Sequence, residues 1–219
     1  MIGRPRLHHR TIGSTNAKAR ELAAAGAPHG TLVTASEQTA GRGRQGRSWV
    51  TPPGTAIAAS LILRRFDDLL PLRAGLAVAD LAGPAARVKW PNDVLVDGRK
   101  VAGILAEARA PDWAVLGIGV NVTEVPPGLA EIAASLDRDD VEQALAELLE
   151  ALDRRLAQPA AETLADLRAR DALLGERVRW SGGEGTGAGI DESGALLVTT
   201  PGGETLALAA GEVHLAPGP

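Results

Sequence analysis

Gly41-Arg42-Gly43-Arg44-Gln45-Gly46-Arg47-Ser48-Trp49 sets three arginines among three glycines in nine residues. Glycine lets backbone N–H groups approach a ligand closely, and arginine offers a planar fork of donors suited to phosphate or carboxylate. The segment is therefore a candidate anion-binding loop. A solvated flexible loop and an Arg-Gly segment that touches RNA are the alternatives, and the segment alone leaves them open. It is not a Walker A loop, because no Gly-Lys-Ser/Thr stands at the required spacing. Lys89-Trp90-Pro91-Asn92-Asp93 brings a cation, an amide and a carboxylate together at a strand end, although Asn and Asp there also suit an ordinary turn. Lys100 follows the tight-turn pair Asp97-Gly98 and enters Val101-Ala102-Gly103-Ile104-Leu105-Ala106-Glu107. By position it reads as a solvated lysine at a sheet edge. Gly117-Ile118-Gly119-Val120-Asn121 is a strand with glycines where a ligand or another backbone can come close.

These segments must be held by regular elements. Ser14 and Thr15 precede an alanine-rich run, 16–25, that stops at Gly26: a capped helix. Strands are expected at 31–37, 55–63, 87–90, 94–96, 99–107 and 113–122, with a helix at 71–81 and a loop at 40–48. Val141, Leu145, Leu148, Leu152 and Leu156 recur at helical spacing, and a second helix carrying Leu164 and Leu167 follows Pro159. From Glu176 onward the pattern turns to short strands, 177–180, 187–190, 196–199 and 205–209, with turns at 192–194 and 201–203. The expected fold is α+β: a mixed central sheet with helices packed on one side, then a small C-terminal β-barrel. The expected domains are 1–174 and 175–219.

The chain has 219 residues, a net charge of −4 and 2 % aromatics, which argues against a nucleic-acid binder by bulk charge or base stacking. No apolar run reaches spanning length, and the basic start lacks the apolar stretch of a secretory signal, so a cytoplasmic location is expected. With no cysteine, disulfides, thiolate metal sites and cysteine nucleophiles are excluded. His8 and His9 lack metal-ligand spacing, so no protein-coordinated metal is expected. Gly183–Ala188 fits a relaxed dinucleotide pattern, but strand-and-turn sequence follows it and a hairpin loop is the better reading. Asp67-Asp68 and Asp139-Asp140 suit helix starts.

Taken in order, Ser14-Thr15-Asn16, Gln38, GRGRQGRSW, KWPND, GRKVAGILAE and GIGVN resemble the biotin–protein ligases from about Ser14 to Val122. The β-module after Gly175 resembles their C-terminal SH3-like domain, and the helical middle matches in pattern only. The resemblance implies that biotin and ATP are substrates, with Mg2+ accompanying ATP. It also implies that a biotin carboxyl carrier domain is the protein partner. By resemblance, Ser14, Thr15, Asn16 and Gln38 face the ureido ring of biotin. Arg42, Gly43 and Arg44 cover biotin and the adenylate, and Lys100 contacts the biotin carboxylate and the α-phosphate. Lys100, Arg42 and Arg44 are thereby the catalytic set. Gly103 and Leu105 form part of the biotin wall. Trp49, Asn92 and Asn121 lie on the nucleotide side, and Lys89 and Asp93 serve the phosphates and Mg2+. Many members carry an N-terminal DNA-binding domain. Here thirteen residues precede Ser14, too few for three helices, so no DNA partner is expected. Monomer and homodimer both stay open. A lipoate–protein ligase is the nearest rival and an RNA-binding module a rival of another class.

Overall fold

In the computed structural model, which describes residues 2–125 and 128–216, seven strands form the main sheet. They are β1 (Arg6–Ile12), β2 (Leu32–Gln38), β3 (Ala56–Leu63), β4 (Arg87–Lys89), β5 (Asp93–Val96), β6 (Arg99–Arg109) and β7 (Trp113–Asn121). Their order is β1-β2-β3-β7-β6-β5-β4. Only β1 and β2 run parallel; the other ladders of this sheet are antiparallel. The β5–β6 hairpin turns at Asp97-Gly98, both at positive φ (50° and 74°), as a two-residue primed turn requires. β1 was not expected. Its sequence, RLHHRTI, has little apolar signal because it is an edge strand with much of its surface in solvent.

Helix α1 (Thr15–Ala24) starts where Ser14 Oγ accepts from the Ala17 amide, and Gly26 at φ +90° turns the chain away after it. Helices α2 (Leu70–Ala82), α3 (Val141–Ala157) and α4 (Ala160–Ala169) follow the expected periodicities. The expectation that helices pack on one side is corrected. Alternation along β2, β3 and β7 sends Val33, Ile62 and Val115 to one face, where Ala19 and Ala23 of α1 cover them. Leu32, Leu61, Leu63 and Leu116 go to the other face, into the core shared with α2 and α3. Each fully buried leucine of that core contributes about 1.5–3 kcal/mol relative to exposure. The small alanine face of α1 lets the helix sit close to the sheet, and it carries almost no amphipathic signal by which to place it. Arg155 clamps the helices by pairing with Asp80 of α2 and Asp166 of α4.

The C-terminal strands are β8 (Arg177–Trp180), β9 (Gly183–Ile190), β10 (Leu196–Thr199), β11 (Thr205–Leu208) and β12 (His214–Leu215), in the order β11-β10-β9-β8-β12. Among the described residues no ladder joins β11 to β12, so this sheet is open where a closed barrel was expected. Positions 217–219 of the expected second domain, and 1, 126 and 127 of the first, lie outside the described residues. The 183–188 segment is part of strand β9, not a hairpin loop. A Cβ on Gly185 would meet the Thr199 carbonyl oxygen at 2.4 Å, and one on Gly187 would lie still closer to that of Leu173. Those two glycines permit close backbone approach. Val178, Ile190, Leu196 and Val198 join the main core, and Trp90 Nε1 donates to the Gly194 carbonyl (3.0 Å) across the two sheets. Among the described residues no helix is long and apolar enough to cross a membrane.

Candidate functional site

The α1 face of the main sheet carries two adjoining cavities. Along β6 and β7 the odd-numbered residues Gly103, Leu105, Glu107, Gly117, Gly119 and Asn121 share that face by simple alternation. Lys100, an even number, belongs to the opposite face of a regular strand. A β-bulge in the β5–β6 ladder, where Leu95 pairs with Lys100 and Val94 with Ala102, turns it back. Its Nζ ends 3.2 Å from where a Cβ on Gly103 would stand. Lys100 is thus no edge residue: β6 lies between β5 and β7, and the lysine's backbone also bonds to Ile132 and Ala134.

The first cavity, about 450 Å3 of open space including its mouth, is lined by Ser14, Thr15, Asn16, Gln38, Arg42, Gly43, Trp49, Lys100, Gly103 and Leu105, with Ile104, Gly117, Ile118 and Gly119 among the rest. Its closed end is polar. Thr15 donates to Gln38 Oε1 from both its backbone N–H (2.8 Å) and its hydroxyl (3.0 Å). Asn16 donates from Nδ2 to Glu107 (2.8 Å) and the Leu105 carbonyl (3.2 Å), and Ser60 lies 2.6 Å from its Oδ1. Ser14, Thr15, Asn16 and Ser60 are all buried.

The second cavity, about 880 Å3 with its mouth, is lined by Gly43, Arg44, Arg47, Trp49, Lys100, Asn121, Leu129 and Ile132, together with Val50 and Ala133. Two buried polar atoms here have no partner among the described residues, Trp49 Nε1 and Asn121 Oδ1, one a donor and one an acceptor. The Asn121 Nδ2 is committed to the Ala134 carbonyl (3.0 Å). Lys100, Trp49 and Gly43 belong to both cavities, with the Lys100 ammonium 5.7 Å from the Trp49 ring centroid.

Arg44 lines only the second of these cavities, apart from the residues expected beside it in the first. It is tied down on both sides: it donates to Asn92 Oδ1 (3.3 Å) and to the Gly211 carbonyl (3.2 Å). Arg47 pairs with Glu212. The 41–49 segment closes as a small hairpin, with Trp49 N–H donating to Gly41 O (3.0 Å) and Gly43 N–H to Arg47 O (2.7 Å). Gln45 and Gly46 make its turn at positive φ. Lys89, Asn92 and Asp93 line neither cavity and stand behind Lys100. Asp93 Oδ1 lies 2.6 Å from Lys100 Nζ, a close ion pair without the alignment of a hydrogen bond, and Lys89 lies 4.0 Å from the other oxygen. Burial holds the Lys89 ammonium below the ordinary lysine value. Asp93 opposes that fall, and Lys100 and Arg47 add to it. Arg42, Arg44, Arg47 and Lys100 line the two cavities, and only Lys100 and Arg47 among them are paired, with Asp93 and Glu212, in the described residues, which leaves a surplus of positive charge facing the cavities.

Sequence reasoning missed Ser60, Glu107 and Arg20. Ser60 is the single polar residue of AIAASLIL, and Glu107 continues the Gly103, Leu105 face. Those are the two signals that were available. Among the described residues no cluster of three or more His, Asp or Glu side chains is set to hold a metal ion.

Residues 9–121 match the model of the biotin/lipoate A/B protein ligase family. The biotin–[acetyl-CoA-carboxylase] ligase of Mycobacterium tuberculosis is 40 % identical across 93 % of this chain and 86 % of its own length. The ligase of that name from Paracoccus denitrificans is 40 % identical across 90 % of this chain and 95 % of its own. Among solved structures, the biotin protein ligase from Aquifex aeolicus in complex with biotin and ATP is similar, with a TM-score of 0.84, 26 % identity, and coverage of 97 % of this chain and 100 % of that one. With two cavities meeting at one lysine, and with these likenesses over nearly its whole length, the chain belongs to the biotin/lipoate A/B protein ligase family and, within it, to the biotin–protein ligases.

Proposed function

We propose that this protein activates biotin with ATP and joins it to a lysine of a biotin carboxyl carrier domain, in the cytoplasm. The observation that carries this reading is Lys100, which borders both an amide- and hydroxyl-lined cavity and a second one rimmed by Trp49, Asn121 and arginine. The head group of biotin occupies the closed end at Ser14, Thr15 and Gln38, beside Gly103 and Leu105, and its carboxylate points to Lys100. Adenine occupies the second cavity against Trp49, where the unmatched Trp49 donor and Asn121 acceptor suit a heteroaromatic edge that has both.

In the first step a carboxylate oxygen of biotin attacks the α-phosphorus of ATP, and pyrophosphate leaves. Lys100, Arg42 and Arg44 stabilise the charge that grows on the phosphoryl oxygens, and Asp93 and Lys89 fix the position of Lys100. In the second step the carrier's lysine amine attacks the acyl carbon of the mixed anhydride, and AMP leaves. The 41–49 hairpin shields that anhydride from water. Mg2+ bound to ATP needs few protein ligands, since phosphate oxygens and water fill most of its octahedron. The Asp93 carboxylate lines neither cavity and is paired with Lys100, so the ion would be held chiefly by phosphate oxygens and water, and would supply further charge neutralisation at the phosphates. Residues 1–174 serve as the catalytic domain and 175–219 as an SH3-like module that holds Trp90 and the hairpin through Gly194, Gly211 and Glu212.

The test is ATP–pyrophosphate exchange with biotin or lipoate as the acid. Exchange should depend on biotin. Exchange supported by lipoate and not by biotin would reassign the chain to the lipoate branch of its family.

A further inference from the structure

Four oxygens lie in a row at the closed end of the first cavity: Gln38 Oε1, Thr15 Oγ1, Ser60 Oγ and Asn16 Oδ1. They are separated in turn by 3.0, 2.8 and 2.6 Å. Neither end of the row is free to change character. Asn16 Nδ2 faces Glu107 Oε2 at 2.8 Å, and the other oxygen of Glu107 takes Arg20 at 2.8 Å. A carboxylate paired with arginine only accepts, so the Asn16 amide must turn its nitrogen to Glu107 and its oxygen to Ser60. At the other end the Thr15 backbone N–H donates to Gln38 Oε1 (2.8 Å), which fixes an oxygen there too.

The row therefore ends on two carbonyl oxygens, and its three contacts need three protons. The hydroxyls of Thr15 and Ser60 supply two. One contact always sets lone pair against lone pair, inside a region where Ser60 is 0 % exposed and Thr15 and Asn16 are 4 % exposed. Such a shortage is costly when buried and is relieved by a donor from outside the row. Reversing the Asn16 amide would cure it: Nδ2 would donate to Ser60, Ser60 to Thr15, and Thr15 to Gln38, with three protons for three contacts. Glu107 forbids that reversal, and the Leu105 carbonyl, which also accepts from Nδ2 at 3.2 Å, opposes it more weakly.

We infer that Glu107 is a positioning residue that, through the Asn16 amide, keeps this row one proton short and so makes an N–H on the ligand's head group a requirement of the pocket. The inference rests on the proposed function, in which the ureido ring of biotin enters this end. A cyclic urea brings two N–H donors, and the dithiolane ring of lipoate brings none. Discrimination within the family's two acids then follows from a proton count in addition to shape.

The experiment measures Kd by titration calorimetry for biotin and for its cyclic carbonate analogue, in which both ring N–H groups are replaced by oxygen. The proteins are wild type, Glu107→Gln, Ser60→Ala and the double variant. In Glu107→Gln, Arg20 retains the amide oxygen and the new NH2 faces Asn16, which removes the charged barrier to the reversed amide and outweighs the longer contact with the Leu105 carbonyl. The ratio of the two affinities should fall by about tenfold, chiefly through weaker biotin binding. ATP affinity should hold, and the loss should appear in KM for biotin with kcat little changed. Ser60→Ala leaves Thr15 and Gln38 matched but takes from Asn16 Oδ1 its donor, so the demand for a ligand N–H persists and the ratio should stay near the wild-type value, whereas the double variant, with the amide reversed, should show the lower ratio of Glu107→Gln. An unchanged ratio in folded Glu107→Gln overturns the inference, as does a parallel loss of biotin, carbonate and ATP affinity. If Glu107→Gln does not fold, the wild-type ratio decides: a carbonate analogue bound as tightly as biotin overturns the inference. A wild-type protein that binds no biotin overturns the proposed function itself.

Discussion

Adding one methyl group at Gly117 tests whether the Asn16 amide is held as tightly as the site's polarity demands. A Cβ on Gly117 would stand 2.1 Å from Asn16 Oδ1, 2.8 Å from its Cγ and 2.9 Å from its Nδ2. No flexible tail is available to yield. Asn16 is in the first turn of α1, 4 % exposed, and bonded to Ser60, Glu107 and Leu105. Gly117 has no left-handed backbone, so alanine brings no φ strain and gains about 0.5–1 kcal/mol by restricting the unfolded chain. Against this, Asn16 must move by about 1 Å, which breaks its contact with Ser60 and its charge-assisted bond to Glu107, together worth about 2.5–4 kcal/mol. The balance is a loss of about 2–3 kcal/mol, or a fall in Tm of roughly 5–10 °C for a chain of this size. Gly119→Ala is the control. Its Cβ would collide with the Trp49 indole at 2.5 Å, but Trp49 sits in the 41–49 hairpin, which can shift as a unit. That variant should keep its stability and lose nucleotide affinity by about two- to tenfold through weakened stacking. Thermal unfolding and calorimetry with biotin and ATP separate the two outcomes. Wild-type Tm and biotin affinity in Gly117→Ala would refute the pinned amide, and with it the proton count built upon it.

Lys100→Ala should reduce adenylate formation by about two orders of magnitude while the protein stays folded, since the side chain is one-third exposed (32 %) and lines the cavities; pyrophosphate exchange at the wild-type rate would remove it from the catalytic set. Arg44→Gly should release biotinyl-AMP faster, by about 1.5–3 kcal/mol of lost retention, and label bystander proteins with biotin, with Arg44→Lys rescuing only part. Because Arg44 also ties Asn92 to Gly211, the same variant should raise hydrogen exchange of the hairpin even without ligand. Glu142 is held below the usual carboxylate value by its hydrogen bonds from Arg6, so its contribution is complete above the ordinary pKa and is lost as pH falls through the depressed one. Arg6→Gln should therefore flatten the acid limb of a stability–pH curve, and an unchanged limb would mean that this exposed pair contributes nothing.

Local signals carried much of the fold. Ser14 and Gly26 bracket α1, Asp97-Gly98 makes its turn, and the leucines of α3 face the core, because each depends on a few neighbouring residues. What was not legible depends on distant partners. The polar edge strand β1 is a strand because Leu32–Gln38 lies beside it, and Gly185 and Gly187 sit in a strand because other backbones press against them. α1 covers the second face with alanines too small to announce it. The candidate site was legible where the motifs were dense, and the structure gathers Ser14, Gln38, Lys100 and Gly103 around one cavity. The turn of Lys100 onto that face is set by a bulge that no spacing rule shows, and the parts played by Ser60 and Glu107 appear only when hydrogen-bond partners are traced.

The order of the main sheet also sets a timetable for the chain as it is made. β3 finds its second neighbour in β7, so the whole run from Leu63 to Trp113 must be synthesised before that ladder can close. Closing so long a loop costs little in final stability, about 0.6 kcal/mol for each doubling of its length, but such distant pairing is slow to nucleate. Until β7 arrives, β3 is an eight-residue apolar strand with one bare edge, the kind of surface that invites pairing with another nascent chain. Asn16 leaves the ribosome early and waits for Glu107 and Gly117, which come with β6 and β7. The closed end of the first cavity is thus among the last parts of the main sheet to exist.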